Sequence, residues 1–136
     1  MDAGLQELID AAQSARQNAY APYSGYAVGC AIRDEAGRIH LGCNVENASY
    51  GLTFCAERAA LAGLVASGAK EVAAVAVATE DGGTPCGMCR QSLVEFASTS
   101  QDVPVICIAS VSTAPRVYSL AELLPQPFVL KEAGRT

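Results

Sequence analysis

The run "EVAAVAVAT", residues 71–79, limits the folds open to this chain more than any other stretch. From Val72 to Ala78 it holds only Val and Ala, with nothing polar to turn toward water. It is far shorter than the roughly 20 apolar residues of a membrane-spanning helix. Bounded by "SGAK" and "EDGGTP", it reads as a strand buried on both faces, so layers of structure must cover the sheet above and below. "VPVICIAS", residues 103–110, is a second such run. Between the two, "CGMCRQSLVEFAS" at 86–98 reads as a helix with Leu93, Val94 and Phe96 turned inward. Strand, helix and strand in that order make the two strands parallel, joined by a right-handed crossover.

The remaining segments extend this pattern. "LQELIDAAQSARQNAY", residues 5–20, sets Leu5, Leu8, Ile9, Ala12 and Ala15 on one helical face, and "APYSGY" ends that helix. "AVGCAIR" and "RIHLGCNV" flank "DEAG" as a β-hairpin with Gly at the turn. "ENASYGLT" reads as a loop leading to a helix over about 55–67. Strand–helix–strand thus recurs around residues 39–79 and 71–110. "VSTAP", 111–115, is too short for a crossover helix, so "RVYSL" should return antiparallel to the strand before it; "AELL" closes with a helical turn. The fold class is α/β, a mixed sheet with helices on its faces.

At 136 residues the chain fits one domain, 1–136. A net charge of -5 argues against a nucleic-acid polymer as partner. "MDAGLQELID" has neither the basic nor the apolar region of an export signal, so the expected location is the cytoplasm. Six cysteines in a reducing compartment are expected as core residues, redox groups or metal ligands rather than disulfides.

Parallel strands end at one edge of a sheet, so the helices that follow them start there, in the crevice where α/β sheets bind ligands. Cys55 opens one such helix and Cys86 the next. Cys86 and Cys89 form a C-x-x-C in a first helical turn, where i and i+3 share a face and the helix N-terminus favours thiolates. Alone, that pair leaves metal, redox and core-filling readings open. Cys55 tips the balance toward metal, because three protein ligands with one open position is the arrangement of catalytic zinc. Cys30 and Cys107 read as core filling, Cys43 as a small buried hydrophobe, and His40 as a strand residue facing solvent. Glu57 reads alone as an exposed helix residue. Beside an open metal position it reads as the carboxylate that reaches the metal's water, provided that Cys55 lies in backbone not yet helical. Three thiolates leave Zn²⁺ with excess negative charge, which Arg58 or Arg90 would offset by donating to the sulfurs, with Arg58 the preferred candidate.

"CAER" followed by "PCGMCRQ" resembles the zinc-dependent nucleoside and nucleobase deaminases, with Cys55 where many of them carry His. "APYSGYAVGCAI", "GCNVENASYG" and "ELLPQPF" extend the likeness from Ala21 to Phe128, toward the short, homotetrameric free-nucleoside cytidine deaminases. The resemblance implies a three-layer α-β-α fold on a five-stranded mixed sheet. It implies zinc on Cys55, Cys86 and Cys89, with Glu57 as proton shuttle. It further implies Asn44 and Glu46 on the ribose hydroxyls, the Ala56 N–H on the pyrimidine and Tyr26 stacked on the base. Tyr50 and Phe128 would reach a neighbouring subunit's site. Tyr26 stands where the family usually has Phe, Phe54 where smaller or aliphatic residues are common, and Pro127 where Ala is usual.

Other readings carry less. A polynucleotide deaminase would want a basic surface and a helix before the last strand. A deaminase of an aminonucleoside such as blasticidin S is closer, but "NVENAS" favours the ordinary nucleoside. A thiol–disulfide oxidoreductase would leave Cys55 and Glu57 without a task, and a structural zinc module would bind metal without turnover.

Overall fold

The computed structural model describes residues 3–110 and 114–130. Its elements are α1 (Ala3–Arg16), β1 (Gly29–Asp34), β2 (Ile39–Cys43), a 3₁₀ turn (Tyr50–Leu52), α2 (Ala56–Ala66), β3 (Val72–Thr79), α3 (Gly87–Glu95), β4 (Pro104–Ala109), β5 (Arg116–Ser119) and α4 (Leu120–Leu123). The first helix holds every residue of the apolar face and ends at Arg16, short of Tyr20. After Arg16 the turn tightens to i→i−3 bonds, and the Tyr20 N–H then donates to the Asn44 carbonyl, drawing the chain onto the hairpin. Part of the "VSTAP" turn, residues 111–113, lies outside the described residues.

The five strands form one mixed sheet in the order β2-β1-β3-β4-β5. β1 pairs antiparallel with both β2 and β3, β3 pairs parallel with β4, and β5 returns antiparallel to β4 as expected. β2 and β3 therefore run in the same direction with β1 between them, so α2 and α3 both start where same-sense strands end.

β3 divides the core by alternation, as residues two apart share a face. Ala74, Ala76 and Ala78 pack with Leu8, Ile9 and Ala12 of α1 on one side. Val75 and Val77 pack with Ala60, Leu64 and Leu93 of α2 and α3 on the other, joined by Val72 because the pairing with β1 shifts register between Arg33 and Asp34. Cys30 and Cys107 belong to this second cluster as fully buried core residues, as expected. Two glycines admit the helices at close range. A Cβ on Gly29 would stand 2.1 Å from the Ala12 carbonyl oxygen of α1, and one on Gly42 would stand 2.4 Å from both the Ala56 carbonyl oxygen and the Ala60 nitrogen of α2.

The hairpin turn corrects two expectations. His40 does not face solvent: its Nε2 lies 2.8 Å from Oδ2 of Asp34, whose side chain is fully buried. Asp34 also accepts from the Ala36 and Arg38 N–H groups at 2.8 and 3.0 Å and from Arg38 Nε at 3.1 Å. The carboxylate terminates the strand inside the protein, and a solvated ring could not satisfy it there. Cys43 is half-exposed rather than buried, with its Sγ 3.6 Å from the Asn18 carbonyl oxygen.

Burial alone would raise the Asp34 carboxyl, but His40, the two N–H donors and the Arg38 charge outweigh it and hold the group at about 2. A value depressed on folding stabilises the native state above the ordinary range, a contribution lost as pH falls through about 4 toward 2. Asp34→Ala removes the shared acceptor of two backbone N–H groups, Arg38 and His40, so it is expected to cost roughly 2–3 kcal/mol, a fall in Tm of about 10 °C. Thermal unfolding at neutral pH measures it, and the gap between parent and variant should narrow on acidification.

Candidate active site

Cys55 and Cys86 are the N-cap residues of α2 and α3, and both have extended backbone. Neither sulfur caps its own helix, and Glu57 sits inside the first turn of α2. The sulfurs of Cys55, Cys86 and Cys89 lie within 4.8 Å of one another, the only such group of potential metal ligands among the described residues. Sγ of Cys86 and Sγ of Cys89 are 3.6 Å apart. A tetrahedral ion with Zn–S bonds of roughly 2.3 Å sets its sulfurs about 3.8 Å apart, so the donor set fits zinc in both chemistry and spacing.

The electrostatics favour anionic sulfur at the helix mouth. Burial opposes it at Cys86, but the N–H groups of Cys89 and Met88 and the adjoining thiols bring Cys86 below the ordinary thiol range. Cys89 goes the other way: burial, then the negative charges of Glu57 and Cys55, push it far up without a cation between them. A divalent ion suits this crowding of acids. Arg58 Nη2 donates to the Thr53 carbonyl at 3.1 Å and lies 4.0 Å from the Cys55 sulfur. Arg90 is engaged elsewhere. It donates to the carbonyls of Pro85 and Leu123, both at 2.7 Å, and to Thr84 Oγ1 at 2.9 Å, bracing the loop that delivers Cys86. Sequence reasoning missed that brace because two of its three acceptors are backbone oxygens.

Glu57 is buried, with 5% of its surface exposed. The exposed-helix alternative therefore does not describe it. Burial lifts its carboxyl above the ordinary range, while its own backbone N–H, Cys89 and Arg58 pull in the opposite direction. The three sulfurs and Glu57 line a cavity of about 230 Å³, closed on other sides by Tyr26, Asn44 and Phe54. A larger groove of about 630 Å³, between Phe96 and Phe128–Leu130, holds none of these groups.

The other expected residues divide. Asn44 lines the cavity, its Oδ1 accepting from the Val28 N–H at 2.9 Å and its Nδ2 donating to the Tyr26 carbonyl at 2.8 Å. Ala56 lines it too, and its N–H is one of the first-turn amides that a helix leaves without an intrahelical acceptor. Glu46, Tyr50 and Phe128 are not among the described residues that line it. The Glu46 carboxylate accepts from the N–H groups of Tyr23 and Ser24, at 2.9 and 3.1 Å, and from the Ser24 hydroxyl. Tyr50 is exposed, its ring edge-on to Tyr23. Phe128 is exposed as well, its backbone held by both ends of the Gln91 amide.

The family model described as "Cytidine and deoxycytidylate deaminase zinc-binding region" matches residues 3–107, a span that includes both cysteine-bearing helix mouths and the buried Glu57. The chain belongs to this family. Among the deaminases it resembles, the cytidine deaminase of Sporosarcina psychrophila is 38% identical over 91% of this chain and 90% of its own length. That of Mycobacterium tuberculosis is 41% identical over 91% of this chain and 89% of its own. The crystal structure of a cytidine deaminase from Burkholderia pseudomallei superposes with a TM-score of 0.84 at 42% identity, covering 94% of this chain and all of that one. The deaminase fold is thereby fixed, and zinc is the metal of the family to which the Cys55, Cys86 and Cys89 cluster corresponds.

Proposed function

We propose that this protein deaminates cytidine and deoxycytidine by hydrolysis, giving uridine and deoxyuridine with release of ammonia, in pyrimidine salvage in the cytoplasm. The observation that carries the reading is a buried carboxyl beside three clustered sulfurs, on a cavity that an aromatic ring closes. Cys55, Cys86 and Cys89 hold zinc, which as a Lewis acid lowers the pKa of water from 15.7 toward about 7. Glu57 does the proton work. It takes a proton from the water and delivers it to N3 of the pyrimidine, and then carries one to the amino nitrogen as the C4–N bond breaks. The water oxygen stays on C4. A carboxyl raised toward neutrality by burial suits both the accepting and the giving step.

The ribose is held by Asn44 and Glu46. Each Asn44 amide end makes one backbone bond and keeps one more donor or acceptor for a hydroxyl. Glu46 contributes its remaining acceptor capacity and orders residues 23 and 24. Tyr26 stacks on the base, the Ala56 N–H orients it, and Arg58 moderates the charge of the sulfurs. Tyr50 and Phe128, exposed in the single chain, enter the site of a neighbouring subunit in a homotetramer. Among the described residues no helix is long and apolar enough to cross a membrane.

Incubation with cytidine tests the reading. The ultraviolet spectrum is expected to shift to that of uridine with one ammonia per nucleoside, zinc at about one per chain, and loss of both on chelation that added zinc restores. Bound zinc without turnover of either nucleoside would leave a structural zinc module. Turnover of blasticidin S alone would change the substrate, and absent zinc with a titratable 86–89 disulfide would favour the redox alternative.

A further inference from the structure

Asp81 has no place in the reading above, yet it is bonded to the wall of the cavity. The Tyr26 hydroxyl donates to its Oδ1 at 2.7 Å. The same oxygen accepts from the Gly83 N–H at 3.2 Å and from Thr79 Oγ1 at 3.3 Å. Thr79, buried at the end of β3, in turn accepts from the Gly82 and Gly83 N–H groups at 2.7 and 3.0 Å. The space is tight: a Cβ on Gly83 would stand 3.2 Å from the Tyr26 hydroxyl and 3.4 Å from Asp81 Oδ1. Asp81 is exposed, and Tyr26 is itself 36% exposed, so packing alone does little to fix the ring. One carboxylate oxygen thus gathers three donors at the point where β3 hands the chain to the loop leading to Cys86.

We infer that Asp81 is a positioning residue that latches the Tyr26 ring in place as the cavity's wall and ties that wall to the metal-ligand loop. The latch depends on the Tyr26 hydroxyl. It rests on the nucleoside reading for its effect on substrate, though not for its existence. A ring held in the stacking position before substrate arrives avoids an ordering cost at binding, so the latch acts on KM rather than on the chemical step.

A double-mutant cycle of Asp81→Ala and Tyr26→Phe tests this with cytidine as probe. In the parent, Asp81→Ala is expected to raise KM about fivefold with kcat within about twofold, and in the Tyr26→Phe background to change KM by less than about twofold. Asp81→Asn keeps an acceptor for the hydroxyl and should restore most of the parent KM. An equal effect of Asp81→Ala in both backgrounds would overturn the latch, since support of the loop alone needs no hydroxyl. Should the parent turn over no cytosine nucleoside, the proposed function falls by itself. The same cycle read in thermal unfolding then decides the latch: non-additive Tm shifts support it, and additive ones remove it.

Discussion

Glu57→Gln is expected to reduce cytidine turnover by about 10²–10⁴-fold with zinc retained at about one per chain. Gln fills the same volume and still forms hydrogen bonds, but it cannot accept a proton and return it. The metal should stay because its ligands are the sulfurs of Cys55, Cys86 and Cys89, and a Gln in the place of Glu57 can still hydrogen-bond to Cys89. Ammonia release and zinc content, measured on one preparation, separate the proton-transfer role from a structural one. Retained turnover would deny Glu57 its role, and lost zinc would make the side chain a support of the metal site. The variant should also be at least as stable as the parent, since a buried carboxyl whose charged form is disfavoured by desolvation gives way to a neutral group.

Gly42→Ala should damage stability and the metal site together. The added carbon would meet backbone, at 2.4 Å from the Ala56 carbonyl oxygen and the Ala60 nitrogen, and no rotamer can relieve that. Either β2 or the first turns of α2 must move. The expected cost is about 3 kcal/mol or more, read as a fall in Tm. Ala56 lies between Cys55 and Glu57, so zinc affinity and turnover should fall together with stability. Gly29→Ala strikes α1 in the same way, on the face away from the sulfurs, and should destabilise while leaving the metal affinity of the folded protein largely intact. Gly51→Ala, with no neighbour within 4 Å, is the control expected to do little. Unfolding curves, zinc titration and cytidine turnover across the three variants would expose any failure of this ordering.

The parts of the fold that follow from alternation and punctuation were legible in the sequence. The all-apolar runs became β3 and β4, and the two cysteine-led helices start at one sheet edge because β2 and β3 point the same way. The meeting of Cys55 with Cys86 and Cys89 needed only that geometry. What could not be read was the partner of each polar side chain. His40 lies at a strand position that suits solvent, and only the folded turn reveals the Asp34 carboxylate waiting inside. Arg90 resembles any surface arginine until α4 brings the Leu123 carbonyl beside it. Glu46 carries its family expectation in sequence, whereas the structure shows its oxygens already engaged by Tyr23 and Ser24. Local pattern governs burial; long-range hydrogen bonds depend on loops, whose course no periodicity encodes.

The alternation of Ala and Val along β3 also acts as a ruler. Sliding the strand by a single residue against β1 or β4 would drive valines into the shallow layer beneath α1 and leave alanines to fill the deeper one beneath α2 and α3. Overfilling on one side would coincide with voids on the other. Mispaired intermediates are thereby penalised twice, and a strand built of Val and Ala in all but its last residue can still find its place unambiguously.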